Sequence, residues 1–141
     1  MHTDIMSISE YASFIKRRQI LETQCCEDYT VYIKVPALNH CPHQLKKARD
    51  HFEIAFLWDP DRRMFVYPNW QFSKGSVIPE VTQILKAMGK DRFGGWEGYS
   101  WFTSHHMLLG GHSPAQWMQA YPERVWLAFE EEQEVDVSGN F

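Results

Sequence analysis

At the front of the chain the apolar positions recur at helical spacing and then switch to alternation. Ser7 is followed three residues on by Glu10, the pairing of a capping box. Ile8, Tyr11 and Ile15 then recur along one face, which Phe14 broadens. This predicts a helix running to about Thr23, with Lys16, Arg17 and Arg18 on its solvated side. In YTVYIKV the pattern alternates, Val31, Ile33 and Val35 to one side and Tyr32 and Lys34 to the other, which predicts a strand closed by Pro36. A short basic helix, QLKKARDHF, is expected to start near Pro42. EIAFLW and RMFVY then flank DPDRR, the pattern of a β-hairpin with a proline-containing turn. Helix followed by hairpin gives this half a winged-helix-like outline.

The second half reads as helical throughout. IPEVTQILKAMG sets Val81, Ile84, Leu85 and Met88 on one face, with Pro79 in its first turn and Gly89 at its end. WEGYSWFTSHHM is helical with its facing left open. In SPAQWMQAY, Ser113 is placed to cap, Pro114 takes the first helical position and Gln116 completes a second capping box. Pro122 starts the last helix, PERVWLAFEEEQ, expected to pack through Val125, Trp126 and Phe129. EEEQEVDVSGNF then drifts into an acidic, mobile end. The expected fold is mainly α within α+β: a compact helical C-terminal half preceded by a helix, a strand and the helix-plus-hairpin unit. The expected parts are 1–66, 67–130 and an acidic tail at 131–141. At the junction, YPNWQF packs three aromatics, a proline and two amides into six residues. It reads as a binding surface, a catalytic corner or a seam.

At 141 residues the chain has the length of one ordinary domain, which buries about 65–70% of the surface its unfolded form exposes. The net charge of −4 conceals an asymmetry, +1 over residues 1–74 and −5 over residues 75–141. A chain that coats nucleic acid along its length would be strongly basic, so any DNA contact is expected in the first half. The acidic second half suits a basic protein partner. The start of the chain lacks the pattern of a signal peptide, and no segment approaches the roughly 20 apolar residues of a membrane span. Three cysteines, two of them adjacent, make a poor disulfide framework. A reduced, cytoplasmic protein is expected.

HCPH offers His40, Cys41 and His43, but the neighbours Cys25 and Cys26 would point to opposite faces of an extended chain. The histidines at 105, 106 and 112 do not have the spacing of a metal helix. Serines and histidines occur without a nucleophile elbow. The paired glycines lack a phosphate-loop partner and read as turns. Asp59 and Asp61 are expected to be solvated in their turn. No catalytic residue, metal or cofactor is assigned, and the protein is not expected to be an enzyme. Gln44, Lys46, Lys47 and Arg49, with His43, carry tips of the kind that read major-groove edges and phosphates. The same helix also reads as a solvated face over Leu45, Ala48 and Phe52.

From Tyr67 onward the order of features resembles the Xre/MbcA/ParS domain of bacterial antitoxins. The resemblance rests on YPNWQF, the SKGS turn, IPEVTQILKAMG, the LLGGHSP helix start and the closing helices, taken in that order. It implies that YPNWQF is a seam, with Tyr67, Trp70 and Phe72 buried and Asn69 and Gln71 satisfying backbone groups. It further implies that the chain neutralises a cognate toxin, most often a RES-domain toxin that degrades NAD, by covering its active site. Carried onto this sequence, the contact residues are Trp117, Arg124, Trp126, Asn140 and Phe141, and a homodimer is compatible with the family. The alternative is a stand-alone DNA-binding regulator that uses the basic helix and hairpin on operator DNA.

Overall fold

The computed structural model describes residues 7–92 and 95–138, the side chains of 90–92 and 135–138 excepted. Helix α1 (Ile8–Thr23) starts as its sequence predicts, with the Ser7 hydroxyl oxygen accepting the Glu10 N–H at 3.1 Å. Its expected apolar face is not a core face. Ile8 is 92% exposed and Tyr11, Phe14 and Ile15 are exposed with it, so only the end of the helix, at Leu21, is buried. A helical period marks amphipathicity but does not say what covers the stripe.

The front half continues through β1 (Cys25–Cys26), α2 (Asp28–Lys34), α3 (Pro42–Asp50), β2 (Leu57–Asp59) and β3 (Met64–Pro68). The segment expected as a strand at 31–35 is therefore helical. Val31, Tyr32 and Val35 turn to one buried side, while Ile33 stays 65% exposed. Asp28 in the first turn and Lys34 in the last complement the helix dipole. Tertiary burial of that side overrides the alternating pattern. With α2 helical, the order is helix, strand, two helices and a hairpin. β1 pairs antiparallel with β3, and β3 with β2. The fold is mainly α with a small antiparallel sheet, as expected, and the expected helix-plus-hairpin unit is α3 followed by β2 and β3.

Cys25 and Cys26 lie opposite Pro68 and Tyr67. They pack against different clusters, Cys25 beside Leu21 and Leu57, Cys26 beside Val31 and Tyr67, as alternation along a strand requires. Burial raises the two thiols to about 12 and about 11, the opposite of an activated cysteine.

The DPDRR turn departs from expectation. Asp61 is exposed, but the Asp59 side chain has no exposed surface. Its carboxylate accepts from Arg18 at 2.7 and 3.4 Å, from Arg62 Nε at 2.7 Å, and from the backbone N–H groups of Asp61 and Arg62 at 3.0 and 3.2 Å. Burial alone would raise this carboxyl group. The hydrogen bonds from Arg18, Arg62 and the two amides outweigh burial and hold it well below the usual range. The network fastens α1 to the hairpin.

Beyond the 3-10 turn Asn69–Gln71 come the short hairpin β4 (Phe72–Ser73) and β5 (Ser76–Val77), then α4 (Pro79–Arg92), α5 (Trp96–Thr103), α6 (Pro114–Trp117) and α7 (Pro122–Ser138). Gly89 breaks α4 with φ 70° and ψ −179°, a conformation that glycine adopts without a Cβ penalty. The open facing of α5 resolves to Tyr99 and Phe102 inward. Val81, Ile84, Leu85, Met88, Val125 and Phe129 form the main core of the second half. A smaller cluster joins the halves, with Tyr99 packed among Leu21, Leu57 and Val66.

YPNWQF crosses this junction. Tyr67 and Phe72 are buried with Val31 and Leu45. Trp70 is half-buried against the main core, its ring 4.7 Å from that of Phe102. Gln71 has no exposed surface, and its side chain binds the backbone of Ala55 and Pro68. Asn69 differs from expectation: its side chain is exposed, and its backbone N–H donates to Gln24.

Candidate partner-docking face and basic helix

The second capping box fixes one end of the candidate face. The Ser113 hydroxyl accepts the Gln116 N–H at 3.2 Å, and the Gln116 side chain accepts the Ser113 N–H at 2.9 Å. Trp117, at the end of this short helix, is half-buried, and its carbonyl accepts the Tyr121 N–H at 2.7 Å as the chain turns into α7. The Trp117 and Tyr121 rings lie 5.5 Å apart, and the Arg124 guanidinium sits 5.5 Å from the Tyr121 ring. Trp117 and Arg124 therefore belong to one surface. With Leu108, Leu127, Ala128 and Glu131 they line a shallow groove of about 220 Å³. Met107, Leu108, Tyr121 and Leu127 are exposed at 95%, 52%, 55% and 58%. Leu109, buried beside Met107 and Leu108, and the Gly110–Gly111 turn hold this pair outward.

Trp126 does not join the groove. It lies half-buried on the main core and stacks on Phe129 at 5.8 Å. Asn140 and Phe141 lie outside the described residues. The segment expected as a mobile acidic end is helical through Ser138. Glu132 accepts from Trp101 Nε1 at 2.8 Å and faces His106 Nδ1 at 2.5 Å, while His106 Nε2 donates to the Trp101 carbonyl at 3.0 Å. A run of glutamates signals solvation, but it does not reveal that one of them has half-buried partners across the fold.

On α3, Leu45 is buried while Gln44, Lys46 and Lys47 are exposed. Lys46 pairs with Asp50 at 2.6 Å. Arg49 turns away from them, donating to the Tyr67 hydroxyl at 2.7 Å with its guanidinium 4.3 Å from the Phe65 ring. Burial pushes the Tyr67 hydroxyl up to about 12 despite the nearby Arg49 charge. The four candidate DNA contacts thus divide into three outward-facing residues and one structural arginine.

Sequence reasoning missed Leu108 and Leu127. The signal available was their position off the core stripe set by Leu109, Val125 and Phe129. Among the described residues no group of three or more His, Cys, Asp or Glu is placed to hold a metal ion, and no helix is long and apolar enough to cross a membrane. Comparison with protein-family models, curated proteins and solved structures finds no match to this chain.

Proposed function

We propose that this chain is an antitoxin-like inhibitor that binds a cognate toxin through the α6–α7 face and covers its active site. The observation that carries the reading is the cluster of exposed apolar side chains at Met107, Leu108, Tyr121 and Leu127 around Trp117 and Arg124. Contiguous exposed apolar surface with aromatic and arginine anchors is characteristic of protein interfaces. Glu130 and Glu131 extend the face with exposed negative charge, the complement of a basic active-site mouth. The class of partner, a RES-domain toxin that consumes NAD, rests on the resemblance of residues 67–130. The test is co-purification with the product of the adjacent reading frame and an assay of its NAD consumption. A stable complex with suppressed NAD loss, broken by Leu127→Glu, is expected. Absence of a complex, or one indifferent to Leu127→Glu and Trp117→Ala, overturns the proposal.

A second reading is favoured by the strand order of the front half. In a winged-helix arrangement the helix before the hairpin is the one that enters the major groove, which here is α3 with Gln44, Lys46 and Lys47 outward. Binding of operator DNA would fall steeply with salt, and replacing both lysines would make the slope shallower by about 2. An unchanged slope would remove this reading.

A further inference from the structure

We propose that the cleft between α1 and α5 binds a small phosphorylated ligand of mononucleotide size, a nucleoside phosphate. The cleft holds about 510 Å³, within the roughly 300–1,000 Å³ typical of small-molecule sites. A neighbouring hollow of about 210 Å³ shares Lys16, Ile20, Tyr99 and Thr103 with it, so the two form one groove along α1. Its lining has no residue in common with the α6–α7 groove.

The chemistry of the lining is one-sided. Lys16 and Arg17 enter from α1 and His105 from the loop after α5, and no carboxylate lines either hollow. Neither Lys16 nor Arg17 has an ion-pair partner among the described residues. Two of the three glutamines that line the larger hollow, Gln24 and Gln116, are committed in the same sense. Gln24 uses its side-chain oxygen to accept the Tyr99 hydroxyl at 2.7 Å, and Gln116 uses its oxygen to accept the Ser113 N–H at 2.9 Å. Their amide N–H groups are left over. The cleft therefore presents two cationic side chains and leftover amide donors with no opposing carboxylate, in a protein whose net charge is −4. A ligand rich in anionic acceptors complements it.

Flat surfaces stand beside the donors. The Trp70 and Tyr99 rings border the larger hollow. In the smaller one the Arg17 guanidinium lies 5.1 Å from the Trp96 ring, a planar platform with a cation on it. Phosphate oxygens suit Lys16 and Arg17, and a nucleobase suits the rings and the amide donors.

The experiment titrates the full chain with the four ribonucleoside 5′-monophosphates, following calorimetry and tryptophan fluorescence. Parallel titrations use a nucleoside, inorganic phosphate and a single-stranded oligonucleotide. Saturable 1:1 binding of at least one monophosphate is expected, weakened about tenfold or more in Lys16→Ala/Arg17→Ala, given the worth of hydrogen bonds to charged groups. Both side chains are exposed, so an unchanged melting curve for the double variant shows that the fold is intact. Weakening in Gln24→Leu, with inorganic phosphate alone binding far more weakly, adds support. The proposal is overturned by no binding of any monophosphate. It is equally overturned if phosphate or the nucleoside binds as tightly as the nucleotide, if the double variant binds normally, or if only the oligonucleotide binds.

Discussion

The carboxamide of Gln71 closes a two-way hydrogen-bonded pair with the backbone of Ala55, accepting its N–H at 2.7 Å and donating to its carbonyl at 2.8 Å. Gln71 follows the first hairpin, and Ala55 precedes it with its side chain in the main core of the second half. One buried amide therefore ties the loop leading into the hairpin to the segment leaving it. Replacing it with Leu removes the side-chain partner of three backbone groups in the interior, the Ala55 N–H and the Ala55 and Pro68 carbonyls, at a cost of about 1–3 kcal/mol for each group left unpaired. Urea denaturation of Gln71→Leu should show a loss of that order. Asn69→Ala, two residues away and exposed, should stay within about 0.5 kcal/mol. Equal effects at the two positions would show that Gln71 is not holding the junction.

Asp59 makes stability depend on acid. Its folded carboxyl lies below its unfolded value, so its contribution is complete above the ordinary carboxylate value of about 3.9 and is lost as pH falls toward the folded value. Asp59→Asn should cost about 3 kcal/mol at neutral pH, since it removes the buried charge on which Arg18 and Arg62 converge. Its stability should also fall less steeply than that of the parent between about pH 4 and pH 3. Parallel pH profiles for the two proteins, from chemical denaturation, would refute the assignment.

Arg49 and Lys47 should separate stability from any DNA binding. Arg49→Ala deprives the buried Tyr67 hydroxyl of its partner and should cost about 1–3 kcal/mol. Lys47→Ala removes only an exposed charge, and its melting temperature should match that of the parent. Thermal unfolding of the two variants decides the point, and an unchanged Arg49→Ala melt would contradict it.

Trp70 packs through its ring, since its indole N–H is buried without a hydrogen-bond partner. Trp70→Ala should therefore cost about 3 kcal/mol, the toll of removing a large aromatic from packing. Trp70→Phe keeps a ring against Phe102 and removes the unpaired N–H, so its cost should stay under about 1.5 kcal/mol. Similar losses in both variants, measured by denaturant unfolding, would point to an unseen partner for the N–H.

Local chemistry alone determined several features of this protein. Ser7 and Ser113 cap helices because a hydroxyl beside free N–H groups needs no distant partner. Gly89 interrupts its helix because only glycine takes that backbone conformation cheaply, and DPDRR turns the hairpin. The stripe on α4 identified the main core because Val81, Ile84, Leu85 and Met88 share one face. Tertiary structure decided the rest, because those outcomes depend on what arrives from far along the chain. The segment around Val31 became a helix when Tyr67 and Leu45 offered its single apolar side a place to pack. Asp59 was buried because Arg18, 41 residues earlier, reached it. Arg49 turned inward toward Tyr67, and Glu132 was fixed by Trp101 and His106. Half of the candidate docking face was legible, as Trp117 and Arg124. Leu108 and Leu127 were not, because an apolar residue reads the same in sequence whether the fold covers it or leaves it exposed.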